Sequence, residues 1–213
     1  MAEFPVPPTL GLVLAGGLAR RMGGGDKALI EIGGITILDR VLATLSAQCT
    51  GIIINANGDP DRFADTGCPV IPDNVPDYPG PLAGILAGLD WLAAQDNGVE
   101  WMVSVPSDCP FLPDDLVERL HQARRDMGSG VPLACARSGE WRQPVIGLWP
   151  LALRADLRKA LVEEDLRKVE VWTARHGIAI ADWPTEPIDP FFNVNTPEDA
   201  ERAARIALQH AGA

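Results

Sequence analysis

The stretch TLGLVLAGGLARRMGGGDK, residues 9–27, decides how the chain is read. Its first half is a short apolar run ending in glycines, the pattern of a buried strand. Its second half mixes glycines with Arg20, Arg21 and Lys27. Glycine lets the backbone approach a ligand closely, and successive free N–H groups cradle phosphate oxygens. Arginine adds bidentate bonds to the same oxygens. The loop therefore predicts a polyphosphate cradle, although a solvated surface turn could carry the same residues. Two named loop types do not fit. A P-loop needs GxxxxGK[ST], and no Gly–Lys pair occurs here. Gly23, Gly25 and Ala28 match GxGxxA but lie too far beyond the strand for a dinucleotide fingerprint.

Working outward, residues 37–48 place Ile37, Leu38, Val41, Leu42 and Leu45 on one helical face, with Thr36 as N-cap. Residues 51–57 and 68–73 read as strands. Residues 75–84 form a proline-glycine loop opening a helix whose face holds Leu82, Ile85, Leu86, Leu89 and Leu92. Residues 100–108 give another strand with an acidic end, followed by a helix over 113–125. Strand-like runs cover 131–137 and 143–149, then a helical stretch broken near Glu164, a strand over 177–183, and a last helix capped by Thr196 with Pro197 at its first position. Helices alternating with near-continuous apolar strands imply an α/β fold of three layers: a mostly parallel sheet with helices on both faces. Ligands of such sheets bind beyond the carboxyl ends of the strands. Gly16, Gly17, Asn55, Asp73 and Asp108 gather at those ends.

The length, 213 residues, suits one domain with two lobes. With 18 basic against 29 acidic residues, nonspecific binding to nucleic acid or to an anionic membrane is not expected, so an anionic ligand must meet a local positive island. The apolar run near the start is too short to span a bilayer. Cys49, Cys68, Cys109 and Cys135 form no CxxC pair, which suits a reducing cytoplasm and core packing rather than zinc, disulfides or nucleophiles.

Asp108, just after a buried strand, is placed to hold Mg²⁺ on a nucleoside triphosphate, or else to cap the segment near Pro113. Asp73 could also close an Asx turn before Pro76, and Asn55 and Asn57 could be turn residues. Asn193 and Asn195 flank Val194, so both point to one side of an extended segment unless they cap the last helix. No Ser-His-Asp or paired-glutamate set emerges. A cationic loop and a metal carboxylate without a nucleophile suit phosphoryl or nucleotidyl transfer.

The ordered set LAGGLARRMGGGDK, INAN, DYPGPLAG, PSDCPFLP and FNVNTPED resembles the molybdenum cofactor guanylyltransferases, the MobA family, over most of the chain. The resemblance implies a Rossmann-like fold of the glycosyltransferase-A type. It implies a nucleotide-binding lobe over 9–112 and a molybdopterin-binding lobe over 113–213. Leu14, Ala15, Gly16 and Gly17 would contact the nucleotide, Lys27 and Arg21 its phosphates, and Asn55, Asp73 and Gly80 its base and ribose. Asp108 would coordinate Mg²⁺. Asn193 and Asn195 would face the reaction centre, with Arg142, Gln143, Arg167 and Lys168 as further candidates for the pterin and its phosphate. GMP would pass from GTP to the molybdopterin phosphate in a cytoplasmic monomer that makes passing contacts with cofactor carriers or acceptor enzymes. The rival readings are a cytidylyltransferase on the same cofactor, a sugar-1-phosphate nucleotidyltransferase, and a carrier that binds without chemistry.

Overall fold

The computed structural model of the chain describes residues 5–16, 27–75, 80–128 and 130–209. Gly17, Arg20, Arg21, Gly23 and Gly25 therefore lie outside the described residues, as do residues 77–79 of DYPGPLAG.

β1 (Thr9–Leu14) is followed by a 3-10 turn over Lys27–Leu29 and a small antiparallel hairpin of β2 (Glu31–Ile32) and β3 (Ile35–Thr36). The hairpin, which the sequence reading missed, leads into α1 (Ile37–Ser46). Thr36 caps α1 as expected: its hydroxyl accepts from the Asp39 N–H at 3.0 Å and donates to the Asp39 carboxylate at 2.7 Å. β4 (Gly51–Asn55), a 3-10 turn over Pro60–Thr66, β5 (Val70–Ile71), α2 (Pro81–Gln95) and β6 (Trp101–Pro106) come next. Then follow α3 (Leu116–Asp126), β7 (Leu133–Ser138), β8 (Trp141–Pro150), α4 (Arg154–Val162), α5 (Val169–His176), β9 (Ile178–Trp183) and α6 (Pro197–Gln209).

Seven strands form one sheet in the order β5-β4-β1-β6-β8-β7-β9. Every neighbouring pair is parallel except the two made by β8, with β6 and with β7. Side chains alternate across it with period two. Leu10, Leu12, Ile53, Met102 and Trp149 pack under α2, α4 and α5. Val13, Ile54, Val105 and Leu148 pack against α1, α3 and α6. Each such fully buried side chain stabilises the fold by about 1.5–3 kcal/mol.

All five residues of the expected α2 face are buried. Gly84 and Gly88 bring that helix unusually close to the sheet. A Cβ at Gly84 would stand 2.7 Å from Leu14 Cδ2 and closer still to Asn55 Oδ1; one at Gly88 would stand 2.9 Å from Leu12 Cδ2. The last helix is capped as read, with Asp199 N–H bonded to Thr196 Oγ1 at 3.2 Å and Thr196 N–H to Asp199 Oδ2 at 2.9 Å.

At the far end of β1, Thr9 Oγ1 donates to Pro7 O and lies 2.8 Å from His121 Nε2 of α3. With its own proton committed, the hydroxyl accepts, so the buried imidazole carries its proton on Nε2. Burial, helped by Arg124 and Arg125, lowers the His121 pKa to about 3, and the ring stays neutral.

Candidate active site

Because β1, β4, β5 and β6 run the same way, their carboxyl ends share one rim. A cavity of about 400 Å³ opens there, large enough for a small-molecule ligand. β1 supplies Leu14 and, beyond it, Gly16; β4 supplies Asn55; the segment after β5 supplies Asp73. Gly80 lines it from the start of α2, Asp108 from the end of β6, and Lys27 from the short turn after the glycine loop. Ala15 is not among the described lining. It is buried, and its N–H bonds Asn55 O at 2.8 Å, tying the strand ends together. Gly17 and Arg21 lie outside the described residues.

Asp73 is the hub of the polar wall. One carboxylate oxygen accepts from Asn55 Nδ2 at 3.0 Å and the other from Asn57 Nδ2 at 2.8 Å. The Asp73 N–H returns a bond to Asn57 Oδ1 at 2.9 Å. Asn57, read as a turn residue, thus belongs to the site; its alternation with Asn55 was the available signal. Opposite, α2 begins at Gly80, whose φ of 146° suits glycine, with Pro81 next. Gly80 supplies no side-chain cap, the first turn has no acidic residue, and Gly80 and Pro81 line the cavity, so the positive end of the helix dipole faces it.

A second cavity, about 290 Å³, adjoins the first. Pro106, Asp108 and Val145 line both, so Asp108 stands at their junction. Its outer wall is a bulge in β8. Register with β7 jumps from Cys135–Gly147 to Ala136–Gln143, which leaves residues 144–146 outside the ladder. Pro144 has no N–H to give that ladder, and a proline inside a strand is where such a break belongs. Ser104 Oγ repairs the loss by donating to Val145 O at 2.5 Å while accepting from Trp149 Nε1 at 2.7 Å.

Asn193 and Asn195 form the opposite wall. Val194 between them is buried, and its N–H bonds Asp108 O at 2.9 Å. The alternation expected from sequence holds: both asparagines line this cavity, and capping of α6 falls to Thr196 and Asp199 instead. Lys27 Nζ donates to Asn195 Oδ1 at 2.8 Å, and Cys109 Sγ lies 3.0 Å from Asn193 Oδ1.

Among the described residues Asp108 caps no helix. Burial pushes its carboxyl above the ordinary aspartate range, against the pull of Lys27 and of its own backbone N–H. Its Oδ1 is buried without a hydrogen-bond partner among the described residues. Among the described residues, no group of three or more His, Cys, Asp or Glu is arranged to hold a metal ion.

Arg142 and Lys168 do not appear in the described lining of either cavity. Arg142 sits opposite Arg137 and Gln143 opposite Ala136, so the two neighbours face opposite sides of the sheet and Gln143 takes the cavity. Lys168 is exposed at the start of α5, and Arg167 bonds Asp165 at 2.9 Å. The cysteines are free. Burial pushes Cys49 up to about 12 and Cys135 up to about 11, and Cys109 well above its ordinary value. These are packing thiols rather than nucleophiles.

Residues 11–177 match the family of MobA-like NTP transferase domains. A molybdenum cofactor guanylyltransferase of Nitrobacter hamburgensis is 60% identical over 97% of this chain and 98% of its own. Another, from Rhodopseudomonas palustris, is 57% identical over 98% of each chain. The crystal structure of molybdopterin-guanine dinucleotide biosynthesis protein A from Archaeoglobus fulgidus superposes with a TM-score of 0.71 over 94% of this chain and 99% of that one. Its sequence identity is 22%, so that likeness speaks for the fold. Two near-full-length relatives and the family match over most of the chain agree: the protein belongs to the MobA-like NTP transferases, among the molybdenum cofactor guanylyltransferases.

Proposed function

We propose that this protein transfers GMP from GTP to the phosphate of molybdopterin, forming the guanine dinucleotide form of the cofactor and releasing pyrophosphate. The observation that carries the reading is the meeting of two cavities at Asp108. A bimolecular phosphate transfer needs two chambers with one shared point, where the reacting groups are held within contact.

In this reading the larger cavity takes GTP. Leu14, Ala15, Gly16 and Gly17 contact the nucleotide, and Asn55, Asp73 and Gly80 hold base and ribose. Lys27 and Arg21 hold the phosphates and stabilise charge on the departing pyrophosphate. The second cavity takes the terminal phosphate of molybdopterin, with Asn193 and Asn195 as donors and Arg142 and Lys168 as outlying partners of the pterin. That phosphate is already anionic at neutral pH, so its oxygen attacks the α-phosphorus without a general base. The new P–O bond forms as the bond to the bridging oxygen of pyrophosphate breaks, and the electron pair leaves with pyrophosphate.

The Asp108 oxygen that has no partner among the described residues suits a hard dication, and Mg²⁺ characteristically binds through one or two carboxylates while substrate phosphates and water complete its shell. Bound there, Mg²⁺ would neutralise charge on the phosphate oxygens. We take the 9–112 half as the nucleotide lobe and the 113–213 half as the acceptor lobe, in a cytoplasmic monomer that meets cofactor carriers or acceptor enzymes in passing. Among the described residues no helix is long and apolar enough to cross a membrane.

The test is turnover of purified protein with molybdopterin and Mg²⁺, supplied with GTP or CTP. Guanine dinucleotide and pyrophosphate formed from GTP alone are expected. Equal product from CTP, or tight binding of both substrates without pyrophosphate release, would overturn the reading.

A further inference from the structure

We propose that Cys109 is a positioning residue of the acceptor cavity, its thiol proton fixing which way the Asn193 carboxamide faces. This rests on reading the second cavity as the acceptor site. A carboxamide has an accepting oxygen at one end and two N–H donors at the other, and rotation about its last torsion exchanges them easily. Turned one way, Asn193 offers donors to an incoming phosphate. Turned the other way, it offers an oxygen, which repels an anion.

The choice is made from behind. Cys109 is fully buried, and its Sγ lies 3.0 Å from Asn193 Oδ1 and 3.9 Å from Phe191 O. Both neighbours are acceptors, and the thiol has one proton. Given to Asn193 Oδ1, the nearer, it holds the oxygen inward and leaves the Nδ2 end for the cavity. With the amide turned over, Nδ2 would face sulfur, a weak acceptor, and the thiol proton would be left with the distant carbonyl.

Asn195 is oriented the same way by a different hand, since Lys27 Nζ holds its oxygen at 2.8 Å. The two arrangements differ in permanence. Lys27 lines the nucleotide cavity, and in this reading its ammonium turns to the triphosphate when GTP arrives. The Cys109 thiol is itself fully buried and does not line the nucleotide cavity. Asn193 is therefore the amide that stays aimed while the nucleotide comes and goes.

The experiment compares Cys109→Ala with Cys109→Ser, measuring steady-state kinetics in molybdopterin at saturating GTP and again in GTP at saturating molybdopterin. Melting of each variant checks its fold. The alanine variant is expected to raise KM for molybdopterin about five- to tenfold, the worth of one neutral hydrogen bond, with kcat and KM for GTP little changed. Serine, which keeps a donor, is expected to restore KM to within about twofold of wild type. Alanine and serine variants that behave alike, or a matching rise in KM for GTP, would overturn the proposal while leaving the guanylyl reading intact. A wild-type protein that makes no guanine dinucleotide would remove both.

Discussion

The two chambers that share Asp108 are walled by different kinds of structure. The larger is made from the ends of regular parallel strands: Asn55 closes β4, Asp73 follows β5, and Asp108 follows β6. Strand direction alone delivers them to one rim, and the Asp73 carboxylate then ties two asparagines together. The smaller is made where regular structure fails, at the β8 bulge over residues 144–146 and in the segment 193–195. It stands on a few hydrogen bonds: Ser104 to Val145 O, Val194 N–H to Asp108 O, and Cys109 to Asn193. A wall of strand ends is supported by the whole sheet, whereas a wall of irregular backbone is only as sound as each hydrogen bond that replaces the ladder.

That contrast can be broken most forcefully at the shared point. Asp108→Asn is expected to lower kcat about 1,000-fold, the scale of losing a central charge-stabilising group, with the melting temperature held or raised. Normal turnover in the folded variant would separate Asp108 from the chemistry. Next comes the wall of the larger chamber. Gly84→Ala would drive a methyl into Leu14 and Asn55, destabilising the fold by about 1–3 kcal/mol and weakening GTP binding, with KM for molybdopterin unchanged. Gly88→Ala meets Leu12 and the flexible Met102 thioether, so melting should fall less and GTP affinity should hold. Melting curves and GTP titrations of the two variants would show whether α2 sets the shape of that chamber.

Ser104→Ala is the counterpart in the smaller chamber. It strands Val145 O and Trp149 Nε1 in the interior, at about 1–2 kcal/mol, and should raise KM for molybdopterin while sparing GTP. The smallest effect lies away from both chambers. His121 titrates near pH 6.5 when unfolded and near 3 when folded. Between those values only the unfolded chain takes the proton, so stability falls as pH drops through that window and is unaffected above it. The slope from this group is at most about 1.4 kcal/mol per pH unit. His121→Gln should flatten the pH dependence of melting between pH 6.5 and 5 and leave both KM values alone.

The same division governs how much was legible in the sequence. Apolar runs ending in Asn55 and Asp108 announce parallel strands and a polar rim, because in a parallel sheet polarity follows from chain order. Asn193 and Asn195 were legible through alternation around Val194. Gln143 and Arg142 were not, because which of two neighbours faces a cavity depends on register, and Pro144 shifts the register of β8. Pro144 was the visible warning. Cys109 gave no local signal of its contact, since Asn193 reaches it only through the fold. Gly84 and Gly88 stand at a spacing of four, but which sheet atoms they let approach is set by the packing of α2 on β1 and β4 and not by that spacing. Arg21 and Gly17 remain as the sequence alone presents them, outside the described residues.

Trp149 gives the partition an optical readout. Its buried indole is joined through Ser104 to Val145, whose side of the bulge borders both chambers, and its ring stacks on Trp172 at 6.1 Å. A ligand that shifts the bulge changes the field on a chromophore only two bonds away. The chain has six tryptophans, so the difference in emission between wild type and a Trp149→Phe variant isolates that change as a label-free gauge of occupancy.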